Sequence, residues 1–333
     1  MMQIVVSIVP VFLFLGALIL LDSFKLVSLR AVVLTIVVGF AVAWLALVIN
    51  TWCLSVWSGE PKHYSRYVAP MIEETLKAAY ILYLIISKRV GFLVDAAIYG
   101  FAIGAGFAAI ENVYFLNALN DANIILWLVR GLGTAIMHGG TTAIVGIIVQ
   151  GVVERTSTHR VTAYLPALVV AILIHSFFNH FFLPPVLSTI VLLMALPVMV
   201  VAVFRQSERA TRNWLGVGLD TDVEMMRSLT DGSFAESHIG EYLKTLKDKF
   251  PGEVVADMLC LVRIHTELSI KAKAMLMLNE AGFKPEPDPE VKAKFQELKY
   301  LEKSIGRTGQ LALLPVMHTS TRDLWQLQML ETA

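Results

Sequence analysis

Charge is scarce in this chain: 16% of its 333 residues are Asp, Glu, Lys or Arg, against 56% hydrophobic ones. That balance excludes an ordinary soluble enzyme and describes a polytopic membrane protein. Basic patches are missing as well. The 27 Lys and Arg are matched by 27 Asp and Glu, and neither half gathers cations densely, so no nucleic-acid partner is expected. There are two cysteines, Cys53 in an apolar run and Cys260 in the polar C-terminal part, and no disulfide between them is expected. The first apolar run lacks a positive flank and a small-residue cleavage site, so it reads as a retained span rather than a signal peptide. No internal repeat is convincing, and no His-Glu-x-x-His motif is present.

What is there instead is a series of long apolar runs. At about 20 residues per crossing, spans are expected near 3–21, 31–52, 69–87, 92–117, 124–150, 163–182 and 186–204. After Arg205 the chain becomes dense in Lys, Glu and Asp. The expected organisation is therefore all-α: a seven-helix transmembrane domain over 1–205 and a small helical cytoplasmic tail over 206–333. In the tail, Gly252 to Ala281 reads as an amphipathic helix. The proline-rich stretch Gly282–Pro289 breaks the chain before a second helix to about Ile305, and the two are expected to form a hairpin. Its mixed charge reads first as a solvated face.

Loop cations set the direction. Lys25, Arg30, Lys88, Arg89, Arg155, Arg160, Arg205, Arg209 and Arg212 fall in one set of loops, while the alternate set holds only Lys62 and Arg66. The first set is expected to be cytoplasmic, which puts the N-terminus outside and the C-terminus inside. Direction then gives depth. At about 1.5 Å per residue, Glu73, Glu74, Glu111, His138 and His175 come to one level, slightly outward of the midplane.

Such residues are expensive in lipid: a charge at mid-bilayer costs roughly 2.5–3.5 kcal/mol on insertion scales. Each cluster has a modest alternative. Glu73 and Glu74 lie four and three residues before Lys77, and could form a charge-balanced helix start, although that leaves one carboxylate over. Glu111 and Asn112 follow a stretch of Gly and Ala that suits close helix packing. His138, or the one-turn pair His175 and Asn179, could be interhelical glue. Four polar clusters on four spans at one depth read better as a single site. Arg130 is expected to snorkel to the headgroups, and Asp95 and His180 to lie outside the site.

Glu-Glu-x-x-Lys at 73–77, Phe-x-x-x-Glu-Asn at 107–112, a histidine at 138 and His-x-x-x-Asn at 175–179 resemble the motifs of PrsW-type membrane proteases. These are relatives of the type II CAAX prenyl proteases, and the resemblance spans roughly residues 69–182 in order. It implies intramembrane cleavage of a membrane-anchored protein, in bacterial members an anti-sigma factor, near the extracytoplasmic side of the plasma membrane. It implies a lipid bilayer and a membrane-protein substrate as partners. The catalytic candidates are Glu73, Glu74, Glu111, His138, His175 and Asn179, supported by Lys77 and Asn112.

Two versions of the chemistry stay open. In one, Glu73 or Glu74 activates a water with help from His138, the other pairs with Lys77, and His175 and Asn179 donate to the oxyanion. Lys77 as built-in countercharge favours this version, which needs no cofactor. In the other, zinc is held by ligands drawn from His138, His175, Glu111 and Glu74. Two rivals come from other classes. A proton-coupled transporter or channel would spread polar residues through the whole membrane depth, yet the cytoplasmic half offers only Asp95. A catalytically silent scaffold would use the cluster only to hold helices together.

Overall fold

The computed structural model describes residues 2–22, 24–118, 123–156, 164–283, 288–317 and 321–332, and among these it contains helices and no strand. Arg160 and residues 284–287 of the expected tail break lie outside the described residues. The chain divides into two compact units, Met1–Glu208 and Arg209–Ala333.

The first unit contains α1 (Met2–Leu21), α2 (Leu29–Ser55), the single turn α3 (Pro61–His63), α4 (Ala69–Ile86), α5 (Leu93–Ala118), α6 (Ile124–Leu128), α7 (Ala135–Thr156) and α8 (Leu165–His180). It also holds the start of α9 (Pro185–Asp231). Two π-helical segments, Tyr64–Val68 and Val129–Thr134, lead into α4 and α7. Ser28 caps α2 by accepting from the Ala31 amide, and Asn123 caps α6 by accepting from Ile125. Five stretches are long and apolar enough to cross a membrane: α1, α2, α5, the run Ile124–Arg155 and α9. The expected spans at 69–87 and 163–182 differ for separate reasons. The 18-residue α4 carries three ionisable groups, Glu73, Glu74 and Lys77, and α8 is a shorter apolar helix.

Helix α5 is the central post, buried along nearly its whole length and packed against α1, α2 and α7. Glycines make the packing close. A Cβ on Gly106 would stand 2.3 Å from the carbonyl oxygen of Ile36 on α2, and one on Gly104 would stand 2.3 Å from that of His138 on α7. Backbone-to-backbone approach of this kind is how helices associate where lipid removes the hydrophobic drive. It also fixes the height at which His138 meets Glu111. We therefore expect Gly104→Ala to cost about 1–3 kcal/mol, as overpacking does, and to push His138 out of register with Glu111. Denaturation in detergent measures the first, and the imidazole NMR signals of His138 report the second. Gly16→Ala, where a Cβ meets nothing within 4 Å, is the control and should change neither.

The second unit contains the end of α9, then α10 (His238–Leu246), α11 (Gly252–Glu280), α12 (Pro289–Leu313) and α13 (Thr321–Thr332). Helices α11, α12 and α13 pack on one another around Met258, Leu261, Leu268, Leu298, Leu301 and Leu313. Asp288 caps α12 by accepting from the Glu290 amide, and Pro289 sits in its first turn. The helix breaks at Gly306, whose φ of 66° suits glycine, one residue after the expected end at Ile305. Cys53 and Cys260 are both free.

Candidate active site

Helix α4 delivers three ionisable groups from one turn, and neighbours sort them. Glu74 and Lys77 are sealed, with 1% and 0% side-chain exposure, and pair at 2.6 Å between Oε1 and Nζ. The same Glu74 oxygen lies 2.7 Å from Nδ1 of His175 on α8. A carboxylate only accepts, so this nitrogen of His175 carries the proton and, in the neutral ring, Nε2 is bare. That bare nitrogen lies 3.9 Å from Oε2 of Glu73.

Lys77 reaches the other histidine. Its Nζ lies 3.1 Å from Nδ1 of His138, and an ammonium only donates, so Nδ1 accepts and neutral His138 is protonated at Nε2. Nε2 in turn donates to Oε2 of Glu111 at 2.7 Å. The two imidazole rings stand edge to face with centroids 4.8 Å apart, and Phe107 packs on both Lys77 and His138. One chain of contacts thus joins α4, α5, α7 and α8.

Two flanking groups complete the network. Arg130, in the π-helical segment before α7, lies 3.2 Å from Oε1 of Glu111 and donates from Nε to Oδ1 of Asn112. Asn112 donates to the Ser7 carbonyl, which ties the arm to α1. On the other side, Tyr64 donates to Asn50, and Asn50 donates to Oε1 of Glu73 at 3.0 Å. Three carboxylates therefore face two permanent cations, which leaves one negative charge for an ion or a proton to answer.

The structure brings together Glu73, Glu74, Lys77, Glu111, Asn112, His138 and His175. Asn179 stands apart, because its amide donates to the Ser65 carbonyl. With the Nδ1 proton of His175 committed to Glu74, the expected oxyanion pair His175 and Asn179 is already engaged elsewhere. Arg130 is a correction in the other direction. It was expected at the headgroups, yet its side chain is 12% exposed, pairs with Glu111 and lies 3.8 Å from the Phe115 ring centroid. Asn50 and Tyr64 are additions the sequence does not single out; the available signal is an amide close to the C-terminal end of an otherwise apolar span. Outside the cluster, Asp95 accepts from the Gly91 and Phe92 amides, and His180 bonds to Tyr67 and the Ser176 carbonyl.

The fit to a metal ion rests on the donors. Glu73, His138 and His175 each offer one ligand atom, and these atoms lie within 4.8 Å of one another. Glu73 thereby takes the carboxylate place expected of Glu74 or Glu111, which are engaged with Lys77 and with Arg130. Oε2 of Glu74 is buried with no hydrogen-bond partner among the described residues, a further acceptor in the cluster. One nitrogen and one carboxylate oxygen are open, and the third ligand becomes available when His138 exchanges either Lys77 or Glu111.

A family model, described as PrsW family intramembrane metalloprotease, matches residues 27–204, more than half of the chain. No curated protein and no solved structure matches it. The match takes in every ionisable group of the cluster, and the description names a metal-dependent peptidase without naming the metal.

Proposed function

The chain belongs to the PrsW family of intramembrane metalloproteases, and on that premise we propose that it cuts a membrane-anchored protein at the cluster built on Glu73, His138 and His175. The observation that carries this reading is the mutual approach of those three donors inside an apolar bundle. The family supports this reading over a transporter, since an intramembrane peptidase accounts for the buried charges without the transmembrane relay a transporter needs.

In this reading Glu73, His138 and His175 hold zinc, a set of nitrogen and oxygen donors that suits it. When bound, zinc supplies Lewis acidity and water activation at neutral pH. The remaining work falls to the chain. Glu74 fixes the tautomer and orientation of His175, as carboxylates do behind metal-binding histidines. Lys77 neutralises Glu74 so that both can stay buried. Glu111, with 27% side-chain exposure, takes a proton from the attacking water and returns it to the leaving amine. Arg130, whose Nη2 lies 3.2 Å from Oε1 of Glu111, holds that carboxylate in place beside His138. Asn50 and Tyr64 hold Glu73 in place.

One observation favours a second version. Lys77 occupies Nδ1 of His138 with a positive charge, which suits a metal-free site where Glu73 is the general base for water. Both versions need Glu73.

The proposed setting is a bacterial plasma membrane, with residues 1–205 as the peptidase, 206–333 as a cytoplasmic helical tail, and an anti-sigma factor as substrate type. The test is cleavage of a single-span anti-sigma factor from the same cell by purified protein in liposomes, with products read by mass spectrometry. A cut at the extracytoplasmic end of the span supports the proposal. Intact substrate beside correctly inserted protein overturns it. Orientation is checked separately: a tag before Met1 should be digested by protease added outside intact cells, and one after Ala333 should survive. The reverse pattern would move the site to the cytoplasmic half.

A further inference from the structure

The second unit contains a cavity of about 280 Å³ that the peptidase reading does not use. At about 30 Å³ per water in the liquid, it has room for roughly nine waters, or an organic molecule of about ten non-hydrogen atoms. Its walls come from the end of α9, from α11, from the turn after α12 and from α13. Trp214, Val262 and Met317 supply apolar surface, while Asp222, Lys273 and Gln326 supply buried polar groups.

Those polar groups form one chain. Lys273, 2% exposed, pairs with Asp222 and lies over the Trp214 ring at 5.3 Å. Ser269 donates to Asp222 at 2.6 Å and accepts from both Lys273 and Gln326 at 2.8 Å. Every valence of the Ser269 hydroxyl is filled. Gln326 is fully buried, and its Oε1 has no hydrogen-bond partner among the described residues. Burying an ion pair and an amide in a small helical unit is a poor way to stabilise it, since apolar residues of the same volume do as well or better. Leaving a buried carbonyl oxygen unanswered costs more again. An apolar cavity with a few convergent polar groups is the common form of a small-molecule site.

We propose that this cavity binds a small organic amine with an apolar body. The ammonium or amine N–H donates to Oε1 of Gln326, and the body lies against Trp214, Val262 and Met317. An amine suits the site better than an acid, because two carboxylates, Asp222 and Asp323, line the cavity against one ammonium, Lys273, which is already paired with Asp222. The inference is independent of the peptidase reading and stands whether or not the chain cleaves peptides.

The experiment uses the full chain in detergent at pH 8 and two probes of one size, phenethylamine and benzyl methyl ether. The ether has no N–H or O–H donor. Ligand-observed NMR titration should show saturable phenethylamine binding at least about tenfold tighter than the ether, a margin that one satisfied buried acceptor provides. Gln326→Leu should remove that margin, and Thr221→Trp, which narrows the cavity, should weaken both probes. Equal binding of the two probes to the wild-type chain, or no saturable binding, overturns the proposal without recourse to any variant. Unchanged phenethylamine binding in folded Gln326→Leu and Thr221→Trp would overturn it too.

Discussion

Replacing Glu73 with glutamine is expected to lower turnover by about 10²–10⁴-fold, the usual range for losing a proton-transferring or water-activating group, while the protein still inserts and folds. The expectation comes from how α4 divides its charges. Glu74 is committed to Lys77 and His175, whereas Glu73 is the partly open carboxylate, 16% exposed and facing the bare Nε2 of His175. Glutamine keeps a carbonyl oxygen that can accept from Asn50, so the bond that orients the side chain survives. The charge alone is lost. Turnover of a natural substrate by purified variant, beside its thermal unfolding, separates the chemical effect from a folding one. Wild-type turnover in Glu73→Gln would remove the residue from the site in both versions of the chemistry.

Lys77→Met is expected to be the most damaging single change to stability, by about 3–5 kcal/mol, because it leaves Glu74 buried with its ammonium partner gone. The lysine also holds Nδ1 of His138, so the effect reaches two helices at once. The double variant Glu74→Gln with Lys77→Met carries no buried charge at this point and should recover most of the lost stability, as replaced ion pairs commonly do. It should not recover activity, since a neutral amide in place of the carboxylate no longer raises the basicity of His175. Equilibrium unfolding in detergent or bicelles measures the three proteins. A single variant that loses under about 1 kcal/mol would mean that the bond from His175 is enough to keep Glu74 buried, and would contradict the role given to Lys77.

The site was legible in the sequence to the extent that lipid makes polar residues conspicuous. Glu73, Glu74, Glu111, His138 and His175 stand out because each sits in an apolar run, and the four- and three-residue spacings brought Lys77 within reach of both glutamates. Spacing alone does not choose between them. That choice is tertiary: α7 and α8 bring His138 and His175 to the face carrying Glu74 and Lys77, and Glu73 is left toward Asn50.

Arg130 escaped because a π-helical segment spanning Val129–Thr134 changes the angle at which its side chain leaves the helix. A regular 3.6-residue period does not register that change. Asn179 lies one turn from His175, as its spacing says. Yet α8 ends at Phe181 in the left-handed conformation, and Ser65 lies close enough to take the amide. The all-helical class followed from hydropathy. The count of seven spans did not, since the three ionisable groups of α4 and the short length of α8 leave hydropathy undecided at those two helices. Nor did the buried network around Asp222, Ser269, Lys273 and Gln326, whose members are scattered over 105 residues of a tail whose charged groups read as a solvated face.

The central claim is that Glu73, His138 and His175 hold a zinc ion on which peptide hydrolysis depends. It is tested most directly by metal content and turnover measured on the same purified protein, before and after stringent chelation and after zinc is returned. The account predicts about one zinc per chain, lost together with activity, restored with it, and absent from His138→Ala and His175→Ala. Full turnover by chelated, metal-free protein would contradict it and leave Glu73 as the general base of a metal-free peptidase.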